Sequence, residues 1–205
     1  MLTAFTAGLL FITFSELGDK TFFIAVILAM RHSRRLVFAG VVAALAAMTV
    51  LSVLMGQVAS LLPQNYLHFA EIIFFVGFGV KLLYEASQMP GGVDCEEAEE
   101  AIATVKKAEL KMPKQKTPWA IVLEAFMLTF LAEWGDRTQI ATIALAASQP
   151  AMGVTAGAIL GHSICAAIAV LGGRMIAGRI SERLITAIGG GLFLLFGAIA
   201  LWEGA

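Results

Sequence analysis

Charge is scarce in this sequence. Asp, Glu, Lys and Arg make up 14% of its 205 residues, where a soluble domain carries about 25%. That shortfall, with 59% hydrophobic residues and a mean hydropathy of +0.85, argues against a soluble globular class. Cysteine is scarce too. Cys95 and Cys165 are the two, and their spacing fits no disulfide or zinc framework. Cys95 falls in a charged stretch and Cys165 in an apolar one, so both are expected to be free thiols. There is no HExxH, no phosphate-binding glycine loop and no nucleophile–base constellation, so an enzyme is not expected. The net charge of −1 offers no positive field for nucleic acid. No basic residues precede the first apolar run, which therefore reads as a retained span and not a cleaved signal.

Long apolar runs are abundant. They cover about 3–30, 36–60, 66–87, 118–146, 151–173 and 184–203, each near the roughly 20 residues a bilayer crossing needs. The expected fold is an all-α membrane protein with six transmembrane helices. Three regions follow: a three-helix unit over 1–90, a charged linker over 91–117 and a second three-helix unit over 118–205. The linker holds Asp94, Glu96, Glu97, Glu99 and Glu100, then Lys106, Lys107, Lys111, Lys114 and Lys116. Acid early and base late suits a helix dipole. Ala98, Ile102, Val105, Ala108 and Met112 form a thin apolar stripe at helical spacing, ended by Pro113 and Pro118. This segment reads as a solvated connector helix or as a regulatory metal-sensing patch.

Positive charge orients the chain. Arg31, Arg34 and Arg35, then Lys81 with the five linker lysines, then Arg174, Arg179 and Arg183 all fall on one side of the six spans. The loops at Leu62–Tyr66 and Ser148–Pro150 carry no Lys or Arg. By the positive-inside rule the basic side is the cytoplasm, and both termini are non-cytoplasmic.

Charge does enter the apolar runs, in two matched sets. Glu16–Thr21 reads E-L-G-D-K-T and Glu133–Thr138 reads E-W-G-D-R-T, an offset of 117 positions. At the same offset Gly40 meets Gly157 and Gly56 meets Gly173; after a one-residue slip Gly79 meets Gly197 and Glu85 meets Glu203. Each half has three spans, an odd number, so the second half enters the membrane the opposite way. An inverted-topology repeat places its site near the midplane, at the interface of the halves.

An ionised carboxylate at midplane depth costs roughly 2.5–3.5 kcal/mol on insertion scales. Four retained together point to a bound cation. On a helix Glu16 and Asp19 share a face, as do Glu133 and Asp136. Two facing pairs supply most of a hard cation's oxygen shell, with Thr21, Thr138, Gln139, Ser15 or water completing it. No Cys, His or Met lies in either motif, which favours Mn2+, Ca2+ or Mg2+ over copper or zinc. Lys20 and Arg137 each follow a motif glutamate by four positions. They are partners that pair with a carboxylate when no cation is bound, or members of purely structural ion pairs. Gly18 and Gly135 serve either a helix break that exposes carbonyls or close helix packing.

Three further polar residues sit in the spans. Glu71 and Glu124 lie on opposite sides of the membrane, as groups on a proton or ion path or as residues near headgroups. His162 is a proton carrier or a packing histidine.

Two E-x-G-D-[K/R]-[T/S] motifs, one per three-span half, with a charged central loop, resemble the Golgi-type calcium/manganese transporter family. This is the calcium:cation antiporter family with the duplicated motif. The match covers Glu16, Gly18, Asp19, Lys20 and Thr21, then Glu133, Gly135, Asp136, Arg137 and Thr138, and Gln139 fits the usual ending of the second motif. The short chain looks like the bacterial or cyanobacterial branch. The resemblance implies export of Mn2+ or Ca2+ from the cytoplasm in exchange for protons, across a plasma or thylakoid membrane, with the metal as cargo and no cofactor. A cation channel and a non-transporting membrane scaffold are the alternatives, separated by conductance and by the effect of motif neutralisation on metal content.

Overall fold

Backbone polar groups in an apolar run have no water to bond, so the run must satisfy them internally. The computed structural model describes residues 1–89, 96–109, 117–176 and 181–203, and among these every regular element is a helix. In order they are α1 (Leu2–Glu16), α2 (Lys20–Arg31), α3 (Arg34–Ala59), α4 (Gln64–Gln88), α5 (Glu96–Glu109), α6 (Pro118–Ala132), α7 (Arg137–Ser148), α8 (Ala151–Ile176) and α9 (Glu182–Glu203). Proline marks boundaries. Pro63 caps α4, and Pro118 opens α6 behind Thr117, whose side chain accepts from Ala120 N at 3.3 Å.

Among the described residues, four helices are long and apolar enough to cross a membrane: Arg34–Ala59, Asn65–Gln88, Ala151–Gly172 and Arg183–Trp202. The runs 3–30 and 118–146, expected as single helices, are each two shorter helices in line of sequence, α1 with α2 and α6 with α7. Both interruptions fall on the motifs, at Gly18 with φ 81° and Gly135 with φ 85°. These are the two positive-φ residues among those described. An L-residue in this region costs about 1–2 kcal/mol, so glycine is what lets the chain turn there.

Packing between the halves is reciprocal. Gly40 of α3 lies against Val122 and Ala125 of α6, and Gly157 of α8 lies against Phe5 and Leu9 of α1. Positions 5 and 122 share the offset that relates 40 and 157. On the α4–α9 contact, Val76 meets Gly197, Gly79 meets Leu194 and Leu83 meets Gly190, so these two helices run antiparallel. Lipid tails are as apolar as leucine, so such contacts rest on close backbone approach and dispersion, which small residues permit.

The buried apolar side chains divide at the motifs. One cluster joins α2, α3, α6 and α8 around Phe22, Ile24, Leu28, Val37 and Val41. The other joins α1, α3, α4, α7, α8 and α9 around Phe11, Val53, Phe75, Leu145, Val154 and Phe193. Helix α5 belongs to the first: Ala101 and Val105 are buried there and Ala98 packs against it. Ile102, placed in the apolar stripe by its spacing, is half exposed, because the buried face runs through 98, 101 and 105. Asp94, Cys95, Lys111, Met112, Pro113, Lys114, Lys116 and Arg179 lie outside the described residues.

Candidate functional site

The two helix breaks form one buried carboxylate cluster. Helix α1 ends on Glu16, Leu17 is extended, Gly18 turns the chain, and Asp19 sits at the cap of α2 with φ −74° and ψ 166°. The second motif repeats the path: Glu133 ends α6, Gly135 turns, and Asp136 caps α7 with φ −69° and ψ 160°. Each turn is closed by a backbone bond, Asp19 N to Glu16 O at 3.3 Å and Asp136 N to Glu133 O at 3.1 Å. The expectation that each motif's two acids share a helix face is therefore replaced. One acid ends a helix and the other begins the next.

The outcome is convergence across the halves. Glu16, Asp19 and Glu133 are buried, and one oxygen from each lies within 4.8 Å of the others. Two oxygens bonded to one cation at about 2.4 Å span up to that distance. Glu16 Oε1 and Glu133 Oε1 are fully buried and accept no hydrogen bond from the protein. Buried carboxylate oxygens are normally satisfied, so this pair has unused acceptor capacity that a positive ligand could fill.

Threonines line the cluster. Thr21 Oγ1 donates to Glu16 at 3.3 Å, and Thr138 Oγ1 lies 3.5 Å from Glu133 and 3.0 Å from Asp136 Oδ2. Thr138 also bears on Glu16, and Thr21 on Glu133, across the halves. Ser15 Oγ is buried beside Glu16 with no partner.

Asp136 stands outside the tight cluster. Its side chain accepts from Thr138 N at 3.1 Å, as a helix cap, and it is half-buried. Its charge still acts on Glu16, Asp19 and Glu133. Gln139 holds the break itself, its Oε1 accepting from Gly135 N at 2.7 Å.

The two basic residues do not pair with the glutamates four positions before them. Arg137 Nη2 donates to Asp19 Oδ1 of the other half at 3.3 Å. Lys20 Nζ reaches Glu100 on α5 at 2.9 Å. Glu97 on the same helix acts electrostatically on both Asp19 and Arg137. The linker helix thus packs beside the cluster.

Glu124, Glu71 and His162 lie elsewhere. Glu124 on α6 is buried, with His32 Nε2 at 3.7 Å, where α2 ends. Glu71 on α4 is buried and accepts from Ser148 Oγ at 2.9 Å, where α7 ends. His162 is buried on α8, with Nδ1 unpartnered, and Cys165 one turn on is a free thiol bonded to Thr13 O at 3.1 Å. His32 and Ser148 were not singled out from sequence. The signal was available, because His32 and Gln149, next to Ser148, are related by the repeat offset.

Comparison with known proteins bears on this site. The family model described as "Divalent cation/proton antiporter GDT1" matches residues 4–90 and 121–205. A GDT1-like protein of Synechocystis sp. is 60% identical over 202 residues, covering 98% of both chains. GDT1-like protein 5 of Arabidopsis thaliana is 40% identical, covering 98% of this chain and 96% of its own. GDT1-like protein 3 of Oryza sativa subsp. indica is 45% identical, covering 94% of this chain and 71% of its own. No solved structure matches. Two family-matched segments, each holding one motif, and whole-length relatives make the chain a member of the GDT1 family of divalent cation/proton antiporters.

Proposed function

We propose that this protein exports Mn2+, Ca2+ or both from the cytoplasm in exchange for protons, by alternating access around the motif carboxylates. The observation that carries this reading is the buried convergence of Glu16, Asp19 and Glu133 at two helix breaks. All-oxygen donors suit these hard divalent ions. Asp136 adds charge from the cap of α7, and Thr21, Thr138 and Ser15 complete the shell.

The architecture that goes with it has six spans, α1–α2, α3, α4, α6–α7, α8 and α9, as two inverted repeats with both termini non-cytoplasmic. The reciprocal glycine contacts and the antiparallel α4–α9 pair support the repeat, and the one-sided Lys and Arg support the orientation. The host is a plasma membrane or thylakoid membrane.

Cation and proton compete for the same oxygens. A carboxylate must be ionised to bind metal, so binding displaces protons and protonation releases the ion. Moving two charges outward against 100 mV costs about 4.6 kcal/mol, which inward proton flow offsets.

The test is Mn2+ and Ca2+ flux in proteoliposomes with a pH-sensitive dye inside. Wild type is expected to move metal one way and protons the other, and Glu133→Gln to stop both. A well-folded wild type that moves neither ion, or a Glu133→Gln variant that transports normally, overturns the reading.

A further inference from the structure

Glu71 stands apart from the motifs and has its own cavity. A space of about 210 Å3 is lined by Thr3, Thr6 and Leu10 of α1, Glu71 of α4, Gln149 after α7, and Phe196 of α9, among others. Its polar groups are one carboxylate, two hydroxyls and an amide. Glu71 is the titratable group among the described lining residues. Ser148 at the end of α7 faces it with a hydroxyl, α1 and α9 face it with uncharged residues, His68 lies one turn earlier on α4, and the α-amino group of Met1 is exposed at the start of α1.

Aromatic rings link the cavity wall to the residues beside the motif cluster. Phe196, in the cavity wall, lies 5.6 Å from Phe11 and 6.0 Å from Phe75. Phe11 lies 4.8 Å from Phe193. On the far side of these rings, Phe193 lines a small void with Ser15 and Arg137. The sequence from the cavity inward is therefore Glu71, a phenylalanine layer, then the motifs. The layer is carried by α1, α4 and α9; α9 packs on both α1 and α4, and α4 also packs on α7. The motif cluster is meanwhile approached from the opposite end by Lys20 and α5.

We propose that the Glu71 cavity is the chamber through which protons from the face opposite the linker reach the motif carboxylates, with Glu71 as their acceptor and Ser148 as its hydrogen-bonding partner. This rests on the antiporter reading above. A proton from bulk water binds a Glu71 carboxylate oxygen. When the phenylalanine layer parts, it passes to a motif carboxylate as the cation leaves, and Glu71 returns to its ionised form bonded to Ser148. Nothing else is consumed. A carboxylate suits the task because it binds and releases a proton without a change of position. The layer of rings keeps the two compartments from short-circuiting while it is closed.

The experiment separates proton delivery from cation handling. Full-length protein in liposomes is assayed for net Mn2+ or Ca2+ transport driven by a pH gradient, and for Mn2+/Mn2+ or Ca2+/Ca2+ counterflow at equal pH, which needs no proton transfer. Glu71→Gln is expected to slow net exchange about tenfold or more while counterflow stays within about twofold. Ser148→Ala should show the same split, more weakly, and Glu71→Asp should restore part of the net rate. Equal loss of both fluxes in Glu71→Gln and Ser148→Ala would make Glu71 a packing or cation-path residue and overturn the proposal. Unchanged net exchange in Glu71→Gln would overturn it too. Wild type that shows neither flux would overturn the antiporter reading itself, and this proposal with it.

Discussion

Arg137 donates to Asp19 at 3.3 Å, joining the second motif to the first across 118 positions of chain. The guanidinium is thus held at the edge of the carboxylate cluster by the half to which it does not belong. Its side chain is a quarter exposed and that of Asp19 one tenth. The guanidinium's charge also acts on Glu16. The pair ties the two motifs together across the halves.

Removing that positive charge should tighten cation binding. Unit charges about 4 Å apart interact by about 4 kcal/mol at an effective dielectric of 20, and exposure reduces this to roughly 1 kcal/mol. Arg137→Gln is expected to bind Mn2+ or Ca2+ about fivefold more tightly and to turn over more slowly, because release becomes harder. Calorimetric titration of the purified protein measures the first effect and liposome flux the second. Weaker binding would show that Arg137 is needed to shape the site.

The breaks at Gly18 and Gly135 should resist substitution by L-residues. A Cβ on Gly135 would meet nothing within 4 Å, so Gly135→Ala isolates the cost of φ 85°. That cost is about 1–2 kcal/mol. Asn enters the left-handed region more readily, so Gly135→Asn should lose less. Thermal unfolding in detergent is expected to rank wild type above Gly135→Asn and Gly135→Ala lowest. Equal stability of all three would mean that the break survives in another conformation.

Much of this arrangement was legible before any coordinates. The repeat offset places Glu16, Asp19, Glu133 and Asp136 in matched settings, and the apolar run around each motif predicts burial, which Glu16, Asp19 and Glu133 show and the half-buried Asp136 does not. What the runs conceal is the helix break. Phe22 to Val26 continue the apolar pattern of Leu9 to Phe14, so hydropathy reads one span where the chain forms two helices. Glycine supplied a hint, though it equally suits close packing, as Gly40 and Gly157 do. The partner of Lys20 was not legible, because Glu100 lies 80 positions away on the linker and pairing across that distance depends on how α5 docks. The phenylalanine layer was present in outline. Phe75 and Phe193, like Phe78 and Phe196, are related by the slipped offset of 118. Phe11 has Leu128 as its mate and breaks that symmetry toward one face.

Cation binding should depend on pH with a definite sign. If the oxygens of Glu16, Asp19 and Glu133 hold the cation, they do so when ionised, and each proton bound removes a ligand charge. Apparent affinity for Mn2+ or Ca2+ is expected to fall as pH is lowered, with protons released on binding. Titrations in buffers of different ionisation enthalpy count those protons. Glu16→Gln should release fewer protons than wild type at the same pH, since one competing carboxylate is gone. A binding constant independent of pH would place the cation elsewhere.

The glycine contacts between halves separate packing from function. On Gly40 a Cβ would stand 2.5 Å from Val122 O and 2.8 Å from Ala125 Cβ, and on Gly157 it would press into Phe5 O. Backbone atoms cannot swing aside, so the helices would have to part and lose dispersion contacts along their length. Gly77 on α4 has open space around its Cβ position, and alanine there removes only glycine's helix penalty of about 1 kcal/mol. Gly40→Ala and Gly157→Ala are expected to lower the unfolding temperature clearly, and Gly77→Ala to hold or raise it. Because 40 and 157 occupy equivalent places, their losses should be similar in size. A large loss at Gly40 with none at Gly157 would show that the α3–α6 contact alone carries the assembly, and that the reciprocity seen in the contacts is not shared by the energetics.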